Sequence, residues 1–437
     1  MGIPFSYKPY VPFGTETANV YISRLAPDES GVWVEWLGYS GPYIVKLYKD
    51  GKEIKRVITD KKTARFDGLE TDAEYSVAVV AEDGQNQSCP FRTGDYRGTV
   101  VNYLHFEDLR YAYSGRYLAT PSIVRFQGDL WVSMDVFRGR DQSGGFNLTL
   151  LYRSRDNGST WEYVTDLVPA FWGTLFVAND KLCLLACSTE SGALLVSASP
   201  DGENWETPTV LIYGAGERSQ GGPHRSACPP CLYNGRLYFG IEFGGHCIKR
   251  FDSLIASVDL SKDVLDYDAW IFSGKRRVEF EWGGDHDVRF AIEGNIVERN
   301  GEIFDLLRFN AGKALMLKYD PANPEKAPEF YKVVDFPLGH CKFFIQKAED
   351  GIYYAMGNDA CYPRHRIELY KSTDLEHWEK IDRLVDVSTL SADLDGVQYP
   401  GFVLEGKKFY TVLRTGLNGA HSFHDTNAIT FKIFTIN

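Results

Sequence analysis

Short runs in which apolar residues alternate with or outnumber polar ones, separated by glycine, asparagine and aspartate turns, fill the chain from about residue 116 onward. In Pro121-Ser-Ile-Val-Arg-Phe-Gln-Gly128-Asp-Leu-Trp-Val-Ser-Met134 one apolar arm leads into a glycine turn and a second returns from it, the pattern of a β-hairpin. The unit recurs from Thr174 to Cys187 around Asn179-Asp180, from Pro230 to Glu242 around Asn234-Gly235, and from Asn295 to Arg308 around Asn300-Gly301. It recurs again from Phe343 to Gly357 around Asp350-Gly351 and from Phe402 to Arg414 around Glu405-Gly406, which makes six hairpins. Strands such as Leu148 to Tyr152, Ala193 to Ser197, Ser253 to Ser257, Ala314 to Tyr319 and Ile367 to Ser372 lie between them. One hairpin and its companion strands every ~40 to 60 residues is propeller spacing. The pattern therefore predicts an all-β fold, a six-bladed β-propeller in which Ala428 to Phe434 supplies the strand that closes the ring.

The N-terminal stretch follows a different rhythm. Gly31-Val-Trp-Val-Glu-Trp36 alternates, Tyr43 to Tyr48 runs into an Asp50-Gly51 turn, and Glu53 to Ile58 returns from it. Gly68-Leu-Glu-Thr-Asp-Ala-Glu-Tyr75-Ser-Val-Ala-Val-Val then resembles the fibronectin type III pattern, in which a tyrosine a few residues after a leucine forms a corner between strands. The expected division is a small fibronectin type III-like β-sandwich over residues 1–95 and the propeller over 96–437, with Asp95-Tyr-Arg-Gly98 as linker. Trp33 and Trp36 read as packing residues of the sandwich, not as a sugar platform.

Composition narrows the function classes. A formal net charge of -12 argues against nucleic acid or an anionic membrane as the partner. The first ten residues lack a basic stretch followed by an apolar one, so the sequence as it stands reads as cytosolic. Eight thinly spread cysteines fit reduced thiols better than a disulfide framework. Cys228-Pro-Pro-Cys231 has redox spacing but lacks both a second pair at zinc distance and a strand-helix context. No metal or other cofactor is expected.

The hairpins also say which residues can act together. In an antiparallel hairpin the residue before the first arm and the residue after the second lie at the same end. Collected around the ring, these positions give Arg116, Asp135 and Asp141, then His224, Arg225 and Glu242, then Glu293 and Arg308. They continue with His340, Lys342, Arg364 and Arg366, and end with Tyr399, Arg414 and His424. The opposite ends are ordinary turns. Several arginines facing one axis repel one another unless an anion sits between them, so the charged end is the candidate site.

Ser154-Arg-Asp156-Asn-Gly158-Ser-Thr160-Trp161 is similar to the Asp-box of sialidase propellers, and Ser199-Pro-Asp201-Gly202 with Trp205 and Ser372-Thr-Asp374 with Trp378 repeat it. Ser257-Val-Asp259 looks like a remnant. Over roughly residues 105 to 437 the chain resembles the sialidase superfamily, whose members order their site as Arg, Asp, Glu, Arg, Arg, Tyr. The resemblance implies an exo-acting hydrolase of a glycan ending in a carboxylated sugar, sialic or uronic acid, with three arginines on the carboxylate. Tyr399 would be the nucleophile, activated by Glu293, with Asp135 or Asp141 as acid/base. Arg308 falls at the family's second arginine, and Arg366 or Arg364 at the third. At the first, the family's Arg-Ile-Pro is replaced by Ala119-Thr120-Pro121, and Arg116 is the nearby substitute. Two other readings stay open. A uronate polysaccharide lyase would use His224 or His340 as base, Tyr399 as acid, and Arg308, Arg366 and Lys342 as neutralisers. A non-catalytic propeller would merely hold an acidic glycan.

Overall fold

The computed structural model describes residues 4–5, 20–38, 41–94, 98–104, 114–137, 147–283, 291–309, 312–388, 392–416 and 420–436. Strands and two short 3-10 turns make up the regular structure of these residues, and the strands form nine sheets. Six of the sheets follow one another along the chain. Sheet one holds Tyr117–Phe126, Asp129–Phe137, Leu148–Ser154 and Glu162–Leu167, and sheet two starts at Phe171–Ala178. Sheet three is built around Arg236–Gly245 and Arg250–Asp259, and sheet four starts at Ile292–Arg299 and Glu302–Arg308. Sheet five starts at Phe344–Lys347, and sheet six pairs Gly396–Glu405, Lys408–Gly416, Ala428–Thr435 and Thr99–Tyr103 in that order.

Each sheet buries one face against the next. Leu151 and Trp131 of sheet one pack with Leu182 and Leu184 of sheet two, and Phe176 of sheet two with Phe239 of sheet three. Tyr238 meets Tyr319, Phe304 shares a cluster with Tyr353, and Phe344 packs with Phe402. Val412 and Phe431 of sheet six then return to Leu130 and Leu150 of sheet one, which closes a ring. The strand expected to close the ring has an outer neighbour. Ala428–Thr435 is the third strand of its sheet, and Thr99–Tyr103, which precedes sheet one in the chain, pairs on its outside. Sheet three departs too: its first strand is interrupted between Gly222–His224 and Cys231–Tyr233, a stretch containing Pro229 and Pro230, which lack ladder donors.

Two devices recur around the ring. In the first, Ser154 Oγ and the Asp156 carboxylate gather the backbone N–H groups of Gly158 (2.7 Å) and Thr160 (2.8 Å), while Trp161 Nε1 donates to Gly158 O at 3.1 Å. Ser199, Asp201 and Trp205 build the same turn, as do Ser372, Asp374 and Trp378. Each tryptophan turn seats on the preceding sheet: Trp161 against Phe431 at 5.2 Å, Trp378 against Phe336 at 5.0 Å, and Gly202 against the Trp131 ring. Ser257 and Asp259 do otherwise, since Ser257 accepts from Arg236 and Asp259 caps Ser261.

The second device is a bulge near the start of the inner strand. Registers shift between Ala119 and Ser122, Phe171 and Thr174, Ile292 and Asn295, and Gln398 and Gly401. Within each shift one non-glycine residue has positive φ: Thr120 (46°), Trp172 (56°), Glu293 (62°) and Tyr399 (53°). Such a conformation costs on the order of 1–3 kcal/mol and re-aims the side chain it carries.

Outside the ring, Tyr21–Pro27, Gly31–Leu37 and Thr63–Asp67 form one sheet, and Lys52–Thr59, Tyr43–Lys49, Glu74–Ala81 and Asn86–Arg92 another. Tyr75 Oη accepts from Glu70 N at 3.0 Å across the corner between them. Trp36 is buried in their shared core, which also takes in Val100, Tyr103 and Ala428 of the ring. No helix among the described residues is long and apolar enough to cross a membrane. Trp161→Ala should remove the contact between sheets one and six and cost roughly 3–5 kcal/mol, read as a lower urea midpoint at unchanged slope.

Candidate functional site

The four bulge residues point to one place. Thr120, Trp172, Glu293 and Tyr399 all line a cavity of about 370 Å³ at the end of the ring where the first inner-strand residues converge. His224, Arg225, Arg308, Arg364, Arg414 and His424 line it too, with Phe137, Phe171, Glu190, Arg218 and His246 around them. The strand-end rule thus gathers eight of its residues into one cavity: Tyr399, Glu293, His224, Arg225, Arg308, Arg364, Arg414 and His424.

Tyr399 sits among charges. The Arg364 guanidinium lies 5.7 Å from its ring centroid and that of Arg414 5.3 Å, while Glu293 is hydrogen-bonded to it. Arg308 Nη1 donates to Glu293 Oε2 at 3.1 Å. Burial alone would raise the Glu293 carboxyl, but the charge and hydrogen bond of Arg308, together with His224 and the Tyr399 hydrogen bond, hold the group below the usual carboxylate range. Burial, and then the negative charge of Glu293, push the Tyr399 phenol up, so it rests neutral beside an ionised carboxylate. Arg364 is held by Gln398 and by Cys361 O, and Arg414 by Thr426 and His424 O. Neither has an ion pair among the described residues. Burial pulls Arg414 down to about 10, the mark of a cation short of counter-charge.

The other side of the cavity is a histidine backed by carboxyls. His224 Nδ1 lies 2.8 Å from Glu242 Oε2, and Glu242 Oε1 accepts from Gly294 N at 3.0 Å. Asp305 stands behind, accepting from Ser253 Oγ at 2.9 Å; burial, then the Glu242 charge, push its carboxyl up to about 8. His424 bonds Asp425 at 2.7 Å, and burial draws its ring down to about 4.

Several expected site residues have other duties. Asp135 is fully buried outside the cavity and accepts from Thr149 Oγ1 (2.6 Å) and Trp172 N (2.8 Å), so it braces the sheet-two bulge. Burial pushes it up to about 7. Asp141 lies outside the described residues. Lys342 is fully buried and donates to Pro400 O, tying sheet five to sheet six. His340 lies beside Gly312 and is not among the residues lining the cavity, and Arg116 is exposed. Arg366 pairs with Asp359 at 3.1 Å on the outer strand, so Arg364 and not Arg366 reaches the tyrosine. Although Arg225 lines the cavity, its Nη1 donates to Leu185 O and Trp172 O.

Sequence reasoning missed Trp172, Glu190, Arg218 and His246. Trp172 follows the strand-end rule and could have been found by it, because it precedes the sheet-two hairpin as Tyr399 precedes that of sheet six. Glu190 and Arg218, paired at 3.0 Å, come from turns with no repeating signal.

Comparison with solved structures identifies the architecture. A *Trypanosoma rangeli* sialidase variant displaying trans-sialidase activity is similar over 76% of this chain and 57% of its own, at a TM-score of 0.51 and 14% identity. The ring is a β-propeller. *Penicillium chrysogenum* α-L-arabinanase, complexed with arabinobiose, is similar over 77% of this chain and 97% of its own (TM-score 0.51, 12% identity). *Fusarium graminearum* α-L-arabinofuranosidase, with an iminosugar inhibitor, is similar over 78% and 98% (TM-score 0.50, 10% identity). The chain spans just over half the length of the sialidase it matches. No family model matches the sequence, and no curated protein sequence does. The propeller's structural neighbours are glycoside hydrolases that share its fold at low identity.

The raised carboxyls fix a pH dependence. Asp135 and Asp305 keep their protons in the folded chain up to about 7 and about 8, where the unfolded chain has released them. Their contribution to stability is whole below about pH 4 and is lost as pH rises through those values. Asp305→Asn should flatten the fall in urea midpoint between about pH 5 and about pH 8 relative to the parent protein.

Proposed function

We propose that this chain is an exo-acting glycosidase for a glycan ending in a carboxylated sugar, sialic or uronic acid, with Tyr399 as nucleophile and Glu293 as its base. The observation that carries the reading is the pair Arg364 and Arg414, two buried guanidiniums beside Tyr399 without an ion pair among the described residues. The fold by itself does not demand an anion, as the arabinobiose complex of the *Penicillium* enzyme illustrates. Two buried guanidiniums without an ion pair among the described residues favour one, and a carboxylate can accept from both. Arg308 is already committed to Glu293 and orders the base. The tyrosine suits this ligand: a carboxylate nucleophile would meet the substrate's own negative charge, whereas a neutral phenol does not. As its Oη bonds to the anomeric carbon, Glu293 takes the phenolic proton.

The same reading assigns the ring six blades, identifies the three Ser-x-Asp turns as Asp-boxes, and divides the chain into a fibronectin type III-like module over 1–95 and the propeller over 96–437. The corner bond of Tyr75 supports the module, and the matching hydrogen bonds of the three turns support the boxes.

Tyr399→Phe should lower kcat on the order of a thousandfold or more while leaving glycan binding within a few-fold. Arg414→Met should instead raise KM by roughly ten- to a hundredfold, the size of one lost charge-assisted hydrogen bond. Wild type and variants are assayed on sialylated glycans and uronate polysaccharides, following released sugar and ultraviolet absorbance. Released saturated acid that vanishes in Tyr399→Phe supports the glycosidase; absorbing product identifies a lyase, and binding without turnover a glycan-binding propeller.

A further inference from the structure

We infer that the acid/base of this site is a histidine, His224, oriented by Glu242; the inference rests on the glycosidase reading above. Of the two aspartates that the sialidase resemblance offers as acid/base, Asp135 is sealed beneath Trp172 and bonded there, and Asp141 lies outside the described residues; Glu190, which also lines the cavity, is paired with Arg218 at 3.0 Å. What faces the cavity from sheet three is His224. Its ring is fixed on three sides, edge-on to Trp172 at 4.6 Å, to Phe251 at 4.9 Å and to His246 at 5.9 Å. Nδ1 is spent on Glu242, and Nε2 has no hydrogen-bond partner among the described residues. A carboxylate on Nδ1 fixes the orientation of the ring, which leaves Nε2 to give and take a proton.

The support for Glu242 is itself built in. Its second oxygen is held by Gly294 N, the residue after Glu293, so one bulge both aims the tyrosine's base and anchors the histidine's carboxylate. Gly294 has no room for a side chain, because a Cβ there would stand 2.2 Å from Asp305 Oδ1. The titratable and charged groups around His224 are Glu242 and His246 on its own sheet, Glu190 and Arg218 from the turns, and Glu293 and Asp305 from sheet four.

In the first step the Tyr399 oxygen bonds to the anomeric carbon, the glycosidic C–O bond breaks with its electrons on the leaving oxygen, and Nε2–H gives that oxygen its proton. In the second, water attacks the anomeric carbon and passes a proton to Nε2, while the departing phenolate recovers its proton from Glu293.

The test compares wild type, His224→Gln, Glu242→Gln and Tyr399→Phe on p-nitrophenyl and lactosyl glycosides of N-acetylneuraminic and glucuronic acids, with melting midpoints as folding controls. A nitrophenolate departs without an acid; a sugar alkoxide does not. His224→Gln should lose roughly 100- to 10,000-fold in kcat/KM on the lactosyl probes and less than about tenfold in the rate of the glycosylation step on the nitrophenyl ones. Glu242 is a positioning residue, and Glu242→Gln should move the alkaline limb of kcat/KM to lower pH, because the imidazolium loses its counter-charge. Equal losses on both leaving groups, no loss, or a stationary alkaline limb in Glu242→Gln overturns the proposal; where His224→Gln fails to fold, the limb decides. Turnover that survives in Tyr399→Phe would instead overturn the tyrosine reading, and the leaving-group ratio would still judge the histidine.

Discussion

Inner strands of neighbouring sheets run side by side around the axis without a backbone ladder between them, and this absence shapes the rest of the molecule. Backbone groups there must find partners or lose on the order of 1–3 kcal/mol each. Side chains stand in for the ladder. Ser122 Oγ accepts from Leu175 N at 2.9 Å, Thr174 Oγ1 donates to Cys228 O at 3.3 Å, and Asn295 accepts from Ile345 N at 2.9 Å while donating to Phe343 O at 3.3 Å. Lys342 does the same work toward Pro400.

These stapling residues stand two positions after the bulged ones: Ser122 after Thr120, Thr174 after Trp172, Asn295 after Glu293. The bulge and the staple are one feature. A regular strand would send both side chains to the same face, whereas the extra residue turns the first into the cavity and leaves the second across the seam. Strain at Glu293 and Tyr399 is therefore held by the packing that closes the ring, and the two residues inherit their rigidity from inter-sheet contacts.

Much of this was legible in the sequence. Turn residues at regular spacing and apolar arms placed six hairpins where six sheets begin, because hairpin geometry is a local property. What was not legible is the outer neighbour of Ala428–Thr435, because its pairing with Thr99–Tyr103 joins segments far apart in the chain and no local pattern records it. Within the site the strand-end rule located Glu293, Arg308, Tyr399 and Arg414, yet it gave no direction for side chains outside the strands. Arg364 and Arg366 are two residues apart and would share a face in a regular strand. Arg364 precedes the strand, and its carbonyl accepts from Val397 N at 2.8 Å, which draws it toward sheet six; Arg366 begins the ladder and turns outward to Asp359.

Ala119-Thr120-Pro121 carries no arginine, and a cation from another strand end, Arg414, stands over the neighbouring Phe137. Thr120 occupies the sheet-one bulge, and a threonine there leaves a gap in positive charge beside Phe137. Arg414, on the second strand of sheet six, lies over the Phe137 ring at 4.7 Å and over Tyr399 at 5.3 Å, so it fills that gap from the neighbouring sheet. A cation can cross the seam because the requirement is a charge at a point, not a residue at a sequence position. The cavity therefore carries Arg308, Arg364 and Arg414 around one tyrosine although the Arg-Ile-Pro motif is absent. A ring brings strand ends from different sheets to one place, so charges can gather there without a shared sequence motif.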